Sequence, residues 1–476
     1  MVESSRAAPY DGRLTYVSSP PHSPSQMIMS QRTTSQIQRR QFLKQAAAAT
    51  FAAPFFIRNL RSAPPSETVR HASFGAAGMA GADLRQIASH PKAKLICVAD
   101  VDTSRGSALK KEFPEIRVYQ DWRELLDKEA KNLDSVNVST PDHMHAPIGM
   151  SAMHHGLHVY GQKPLTHDVY ESRKMTEMAR EKKLVTQMGI QVHSSYEYRA
   201  AVRLVQDGAI GLIKEVHTWS NKKWGDPAPR PERTDPVPGE LDWNLWLGTA
   251  PETPFIGEGY YHPGNWRKRL DFGTGTFGDM GCHIYDPVFA ALALTAPISV
   301  RSEGAQPNAH NWANDVVVHY LFPGTKFTAG KTVSVTWYDG DQMPSSDVRK
   351  LIGTVEWPGQ GSLLLGTKGI MLLPHVAAPV LLPEGQFKDF PKADVQGEDH
   401  WHQFVNAVRG EGKTSAGFDY SGPLTEAILL GGIASRFPKQ TLEWDAANLK
   451  FTNLPDANQY VRRTYRQGWE VPGLSG

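Results

Sequence analysis

Asp279 and His283 stand four residues apart in the run D-F-G-T-G-T-F-G-D-M-G-C-H-I-Y-D, residues 271–286. A glycine-spaced loop leads into a helix-like segment, where residues four apart project from one face. That spacing sets a carboxylate beside an imidazole. Histidine titrates nearest neutrality, and an adjacent carboxylate can fix its tautomer and raise its basicity, so the pair is a candidate proton shuttle. The same spacing also serves a helix-surface pair or half of a metal site.

Elements able to position such a pair are legible upstream. Residues 69–74 read as a strand, followed by Gly75-Ala76-Ala77-Gly78-Met79-Ala80-Gly81 and a helical pattern with Leu84, Ile87 and Ala88 on one face. Strand, glycine turn and helix is the order a dinucleotide site requires: small residues admit the pyrophosphate, and helix N-terminal amides meet its charge. The strict G-x-G-x-x-G is absent, since Ala76 takes the first position of the frame ending at Gly81. A second strand over 94–99 ends in Asp100, placed about 20 residues on, where an acid takes the adenosine ribose hydroxyls. Asp100 favours NAD, and Arg105 keeps NADP open.

Residues 135–140 and 157–160 read as further buried strands alternating with helices, which implies a doubly wound parallel sheet. The loops after them are Pro141-Asp142-His143-Met144-His145 and Gly161-Gln162-Lys163-Pro164. On these segments the chain resembles the Gfo/Idh/MocA oxidoreductase family, whose T-P-x-x-x-H, E-K-P and D-x-G-x-H motifs match 140–145, 162–164 and 279–283. The resemblance implies that Lys163 and His283 flank the reacting carbon with Asp279 beside them. It also implies that Thr140, Pro141 and His145 line the cofactor cleft, along with the turn residues Gly75, Ala77, Gly78 and Met79. Gln162 departs from the motif's glutamate, keeping hydrogen-bonding reach and losing the charge. Lys163 suits stabilisation of negative charge developing on a substrate oxygen in a water-poor cleft.

The expected architecture is α/β: a Rossmann domain over 67–189 and a C-terminal α+β substrate domain over 190–476 with an open, largely antiparallel sheet. Strand-like runs at 213–220, 316–322 and 333–338 belong to that sheet. Between the first two lies an aromatic, proline- and glycine-rich stretch. Tyr261, His262, Trp266 and Arg267 are its candidates for contact with a sugar, whose C–H faces stack on rings while its hydroxyls need polar partners. Such an arm equally suits packing on a second subunit, and a homo-oligomer is expected. Helices are expected at 400–409 and 424–434, and the basic, aromatic segment 460–469 reads as packing.

A net charge of +2 over 476 residues argues against nucleic-acid binding. The two cysteines, Cys97 and Cys282, lie far apart in sequence and make no disulfide framework or zinc site, and no metal is expected. Residues 1–66 read as an export signal and disordered linker: 1–37 lack periodicity, and Arg39-Arg40-Gln41-Phe42-Leu43-Lys44 followed by the moderately apolar stretch 46–57 resembles a twin-arginine export signal. That resemblance implies engagement of the Tat machinery and a periplasmic or otherwise exported protein. No A-x-A cleavage site is evident, which leaves a retained N-terminal anchor open. Export implies a tightly bound nicotinamide cofactor recycled in place. Two activities fit these readings: hydride transfer on a sugar, cyclitol or polyol, and glycoside cleavage by transient oxidation, elimination and re-reduction.

Overall fold

The computed structural model describes residues 67–475. The twin-arginine segment and any anchor fall outside them. Among the described residues no helix is long and apolar enough to cross a membrane.

The first half is a six-stranded parallel sheet in the order β3-β2-β1-β4-β5-β6. Its strands are β1 (Val69–Phe74), β2 (Ala93–Ala99), β3 (Arg117–Tyr119), β4 (Ser135–Val138), β5 (His158–Gly161) and β6 (Thr186–Met188). Helices α1 (Gly78–Ala88), α2 (Thr103–Glu112), α3 (Trp122–Glu129), α4 (His145–His154) and α5 (Val169–Glu181) connect them. The order reverses between β1 and β4, so the loops after these strands part and leave a crevice at the carboxyl edge. β4 stops at Val138, two residues before the sequence pattern suggests, which frees Ser139 and Thr140 to face that crevice.

The strands of the second half are β7 (Ile213–Ser220), β8 (Ser299–Gly304), β9 (Val316–Pro323), β10 (Thr332–Asp339), β11 (Gln360–Gly366), β12 (Ile370–Pro374), β13 (Val380–Leu382), β14 (Thr441–Asp445) and β15 (Lys450–Phe451). They form a mixed sheet in the order β13-β12-β11-β7-β10-β9-β8-β14-β15, antiparallel except where β7 pairs with β10. Helices α6 (Tyr196–Gln206), α7 (Gly275–Leu292), α8 (His400–Val408) and α9 (Phe418–Ala434) follow in chain order. Helix α7 packs between β7, β11 and α9. Phe277 stacks on Trp337 of β10 at 4.7 Å between ring centroids, which seats the start of α7 on the sheet. Helix α9 begins at Phe418, earlier than the sequence suggests. Pro423 marks a break by propensity, but Phe418 is fully buried and tertiary packing carries the helix through.

The C-terminal segment locks onto α5 and the loop after β4. The Arg463 guanidinium reaches Glu171 of α5 at 2.6 Å and donates to the His143 carbonyl, while the Tyr465 hydroxyl donates to the same Glu171 at 2.6 Å. Burial by itself would lower the Arg463 pKa, but Glu171 and Asp168 reverse this and hold the group firmly protonated. Arg463→Met would strand a buried carboxylate, a change that costs about 3–5 kcal/mol when one partner of such a pair is removed. The expected result is a clear fall in the urea unfolding midpoint; an unchanged midpoint would show that the tail does not brace the fold.

Candidate active site

The turn after β1 is built for close approach. Gly75 has φ of 103°, and a Cβ there would lie 2.6 Å from the Ala80 Cβ, so only glycine fits. Ala77, at the start of α1, offers no side-chain cap, leaving the first amides of the helix free for an anion. Asp100, at the end of β2, accepts the Ala76 N–H at 2.9 Å and the Asp102 N–H at 3.0 Å, which fixes its carboxylate beside the turn.

A cavity of about 520 Å³ opens over this edge. That is ample for a small-molecule site. Gly75, Ala77, Gly78, Met79 and Asp100 form one wall, and Thr140, Pro141, His145, Gln162 and Lys163 another. The free amides, the glycine turn and the placed acid fit a dinucleotide. His145 staples the two motif loops: its ring nitrogens lie 2.7 Å from the Thr140 carbonyl and 2.8 Å from the Pro164 carbonyl. Burial takes its pKa down to about 4, so near neutrality the ring donates to one of them at a time.

At the far end of the cavity the Lys163 Nζ donates to the Asp279 Oδ1 at 2.6 Å and to the Asp279 carbonyl at 2.9 Å. Arg267 Nε donates to the same carboxylate oxygen at 3.0 Å, and its guanidinium stacks on Trp266. Burial alone would raise the Asp279 pKa; the two cations overcome it and hold the carboxyl well below the usual carboxylate range.

The Asp279–His283 dyad expected from the spacing is not formed. Both residues do share a face of α7, but Lys163 and Arg267, from two other segments, capture the carboxylate first. His283 is buried, with Nδ1 lacking a hydrogen-bond partner. Its pKa is pushed well down by burial, then by Lys163 and His375, with Asp279 only partly opposing. The imidazole is therefore neutral and less basic than a free histidine, the opposite of the expected shift. Neither Asp279 nor His283 lines the cavity; Lys163 and Arg267 do.

Of the aromatic-arm candidates, His262, Trp266 and Arg267 line the cavity, and Tyr261 does not. Tyr261 packs into a cluster with Trp243, Trp246 and Phe272, where its ring is 2 % exposed. Its apolar ring is worth more in that core than at the wall. The site also includes a residue not singled out from the sequence. Asp142 lines the cavity, accepts from the Thr274 hydroxyl at 2.7 Å, and is pushed up to about 7 by burial, with Thr274, Arg267 and Lys163 pulling the other way. Its only signal was its place inside the 140–145 motif. Among the described residues no group of three or more His, Cys, Asp or Glu is arranged to hold a metal ion.

Comparison with known proteins agrees with this geometry. Residues 69–190 match the family described as "Oxidoreductase family, NAD-binding Rossmann fold", and residues 204–326 match its "C-terminal alpha/beta domain". The chain is 24 % identical over 196 residues to levoglucosan dehydrogenase of Pseudarthrobacter phenanthrenivorans, covering 41 % of each chain. It is 30 % identical over 125 residues to scyllo-inositol 2-dehydrogenase (NAD(+)) of Bacillus subtilis, covering 26 % of this chain and 36 % of that one. These matches span less than half the length of the curated relatives. The WlbA dehydrogenase of Bordetella pertussis, solved with NADH and UDP-GlcNAcA, superposes with a TM-score of 0.57 at 15 % identity, covering 79 % of this chain and 99 % of that one. At that identity the likeness is one of fold.

Asp279→Asn leaves two partly buried cations without their shared counter-charge and should destabilise the chain by about 1.5–3 kcal/mol in chemical denaturation. An unaltered midpoint would mean other groups neutralise them. For Asp142 the folded pKa lies above the unfolded one, so its stabilising contribution is complete below about pH 3.8 and is lost as pH rises through about 7. Asp142→Asn should therefore melt higher than the parent at pH 8, by roughly 2–4 kcal/mol, and show little advantage at pH 4. Equal advantages at both pH values would refute the assignment.

Proposed function

Because the chain belongs to the Gfo/Idh/MocA family of oxidoreductases, we propose that it transfers hydride between NAD and a carbinol carbon of a sugar, cyclitol or related polyol. The observation that carries this reading is the Lys163 ammonium, pinned by Asp279 at the end of a cleft whose other end is a dinucleotide turn. Bound NAD supplies acceptance and return of the hydride. Lys163 Nζ presents positive charge to the substrate oxygen, which gains negative character as its proton leaves. His283 is the proposed proton acceptor on the strength of its place in the D-x-G-x-H match; it is neutral and lies close to Lys163, behind the cavity wall and not on it. The Trp266 face and Arg267 offer a stacking surface and a donor to a polyol.

Asp100 supports NAD over NADP, because a carboxylate at the ribose repels a 2′-phosphate. Arg105, the residue that would receive such a phosphate, is engaged by Asp102 at 3.2 Å and by His262. The twin-arginine-like segment supports export through the Tat machinery, and with it a cofactor carried out in the folded protein and retained. Assembly into a homo-oligomer is part of the same proposal.

The test begins with protein purified without added cofactor, denatured, and assayed for released dinucleotide. Occupied sites containing NAD or NADH are expected; an empty protein that rebinds neither would remove the captive-cofactor reading. Lys163→Ala and His283→Ala should each lower turnover by about 100-fold or more while NADH binding persists. Wild-type turnover in either would sink that residue's assignment. Solvent deuterium entering a recovered sugar ring, with no net change in cofactor redox state, would indicate the glycoside-cleaving alternative.

A further inference from the structure

Gln162 is the one position at which the motif match departs in charge, and its side chain has an unusual partner. Its Nε2 donates to the Asp83 Oδ2 at 2.9 Å, and its Oε1 accepts the Lys163 N–H at 3.1 Å. Because a carboxylate only accepts, Asp83 decides which end of the amide points away from the cofactor cleft. Gly189 closes the other side: a Cβ there would lie 2.6 Å from the Gln162 Nε2. The amide is thus held in one orientation next to Lys163.

Asp83 comes from α1, the helix whose first turn receives the dinucleotide. It is 0 % exposed. Besides Gln162 it accepts from the Ser139 hydroxyl at 2.8 Å and from the Trp401 indole N–H of α8 at 2.9 Å. The buried Tyr160 hydroxyl also faces it, and among the described residues no cation forms an ion pair with it. Behind Ser139 the chain of polar contacts continues: the Asn137 amide donates to Ser139, and the His71 Nε2 lies 2.9 Å from the Asn137 Oδ1. A buried carboxylate lacking a counter-ion is expensive, and a fold that needed only packing here would place an apolar side chain.

The geometry points to Asp83 as a positioning residue for the nicotinamide end of the cleft: it carries the single negative charge of a buried acid–amide pair and orients Gln162, and through it Lys163. The pair links three parts of the site that lie far apart in sequence, the dinucleotide helix, the end of β4 and the Lys163 loop. It rests on the reading that a nicotinamide dinucleotide occupies this cleft.

The pair can be inverted. We would measure NADH affinity by fluorescence titration, from pH 6 to 8.5, for the parent, Asp83→Asn, Gln162→Glu and the double variant, each checked for folding by thermal melting. Asp83→Asn should weaken NADH binding on the order of tenfold, the effect of losing a hydrogen bond to a charged group. Gln162→Glu should set two carboxyls against each other, so that NADH affinity falls further as pH rises and the second acid ionises. In the double variant an amide at 83 faces an acid at 162, and affinity should return to within about threefold of the parent with the added pH dependence gone. A merely structural role would not produce that reversal. Should Asp83→Asn fail to fold, Gln162→Met, which keeps the acid and its other donors, should show the same tenfold loss. The proposal is overturned if Asp83→Asn or Gln162→Met binds NADH like the parent, or if the folded double variant is no better than the weaker single one. A parent protein that binds no NADH would instead overturn the cofactor reading itself.

Discussion

The shared carboxylate of Asp279 is the constraint on which the site depends. Lys163 arrives from the end of β5, Arg267 from the aromatic arm, and Asp279 from the first turns of α7, so one partly buried group ties the parallel sheet to the second half of the chain. In a low-dielectric setting such charges are tolerable only together. That dependence explains why Lys163 sits where it does. A lysine free to extend into solvent would offer no fixed charge to a reacting oxygen, whereas one anchored at 2.6 Å does.

Around that cluster the chain spends stability on buried polar groups. Asp83 and Asp142 sit beneath or beside the cleft with pKa values raised by burial, to about 6 and about 7; neutral donors compensate Asp83, and the Thr274 hydroxyl with the nearby Arg267 and Lys163 compensates Asp142. His145 and His283 are neutral for the same reason of desolvation. The charged groups fall at two ends of the cleft, Asp100, Asp102 and Arg105 beside the dinucleotide turn and Lys163 and Arg267, with Asp279 behind them, at the other.

Much of the scaffold was legible without the structure, because it rests on local rules. Alternating buried strands and helices specify a parallel sheet, and right-handed crossovers leave few orders for its strands. The glycine turn after β1 was readable since a backbone at positive φ beside a neighbouring chain tolerates no Cβ. The loops at 140–145 and 162–164 were placed at the sheet's carboxyl edge by the same logic, and they line the cavity. Element ends were less legible. Pro423 suggested a boundary that the burial of Phe418 overrode, and β4 ended early to release Ser139 and Thr140.

By itself the sequence determined the order of strands and helices, the position of the dinucleotide turn, and the residue types available at the sheet edge, because each follows from neighbours within a few positions. Only the tertiary structure decided who partners whom. The i, i+4 spacing put Asp279 and His283 on one face, yet the carboxylate went to Lys163 and Arg267, which lie 116 and 12 residues away. Tyr261 was drawn into an aromatic core, Asp142 became a cavity wall, and Gln162 found its acid on α1. Such pairings depend on desolvation and on charges brought together from distant segments, and neither quantity is defined until the chain has folded.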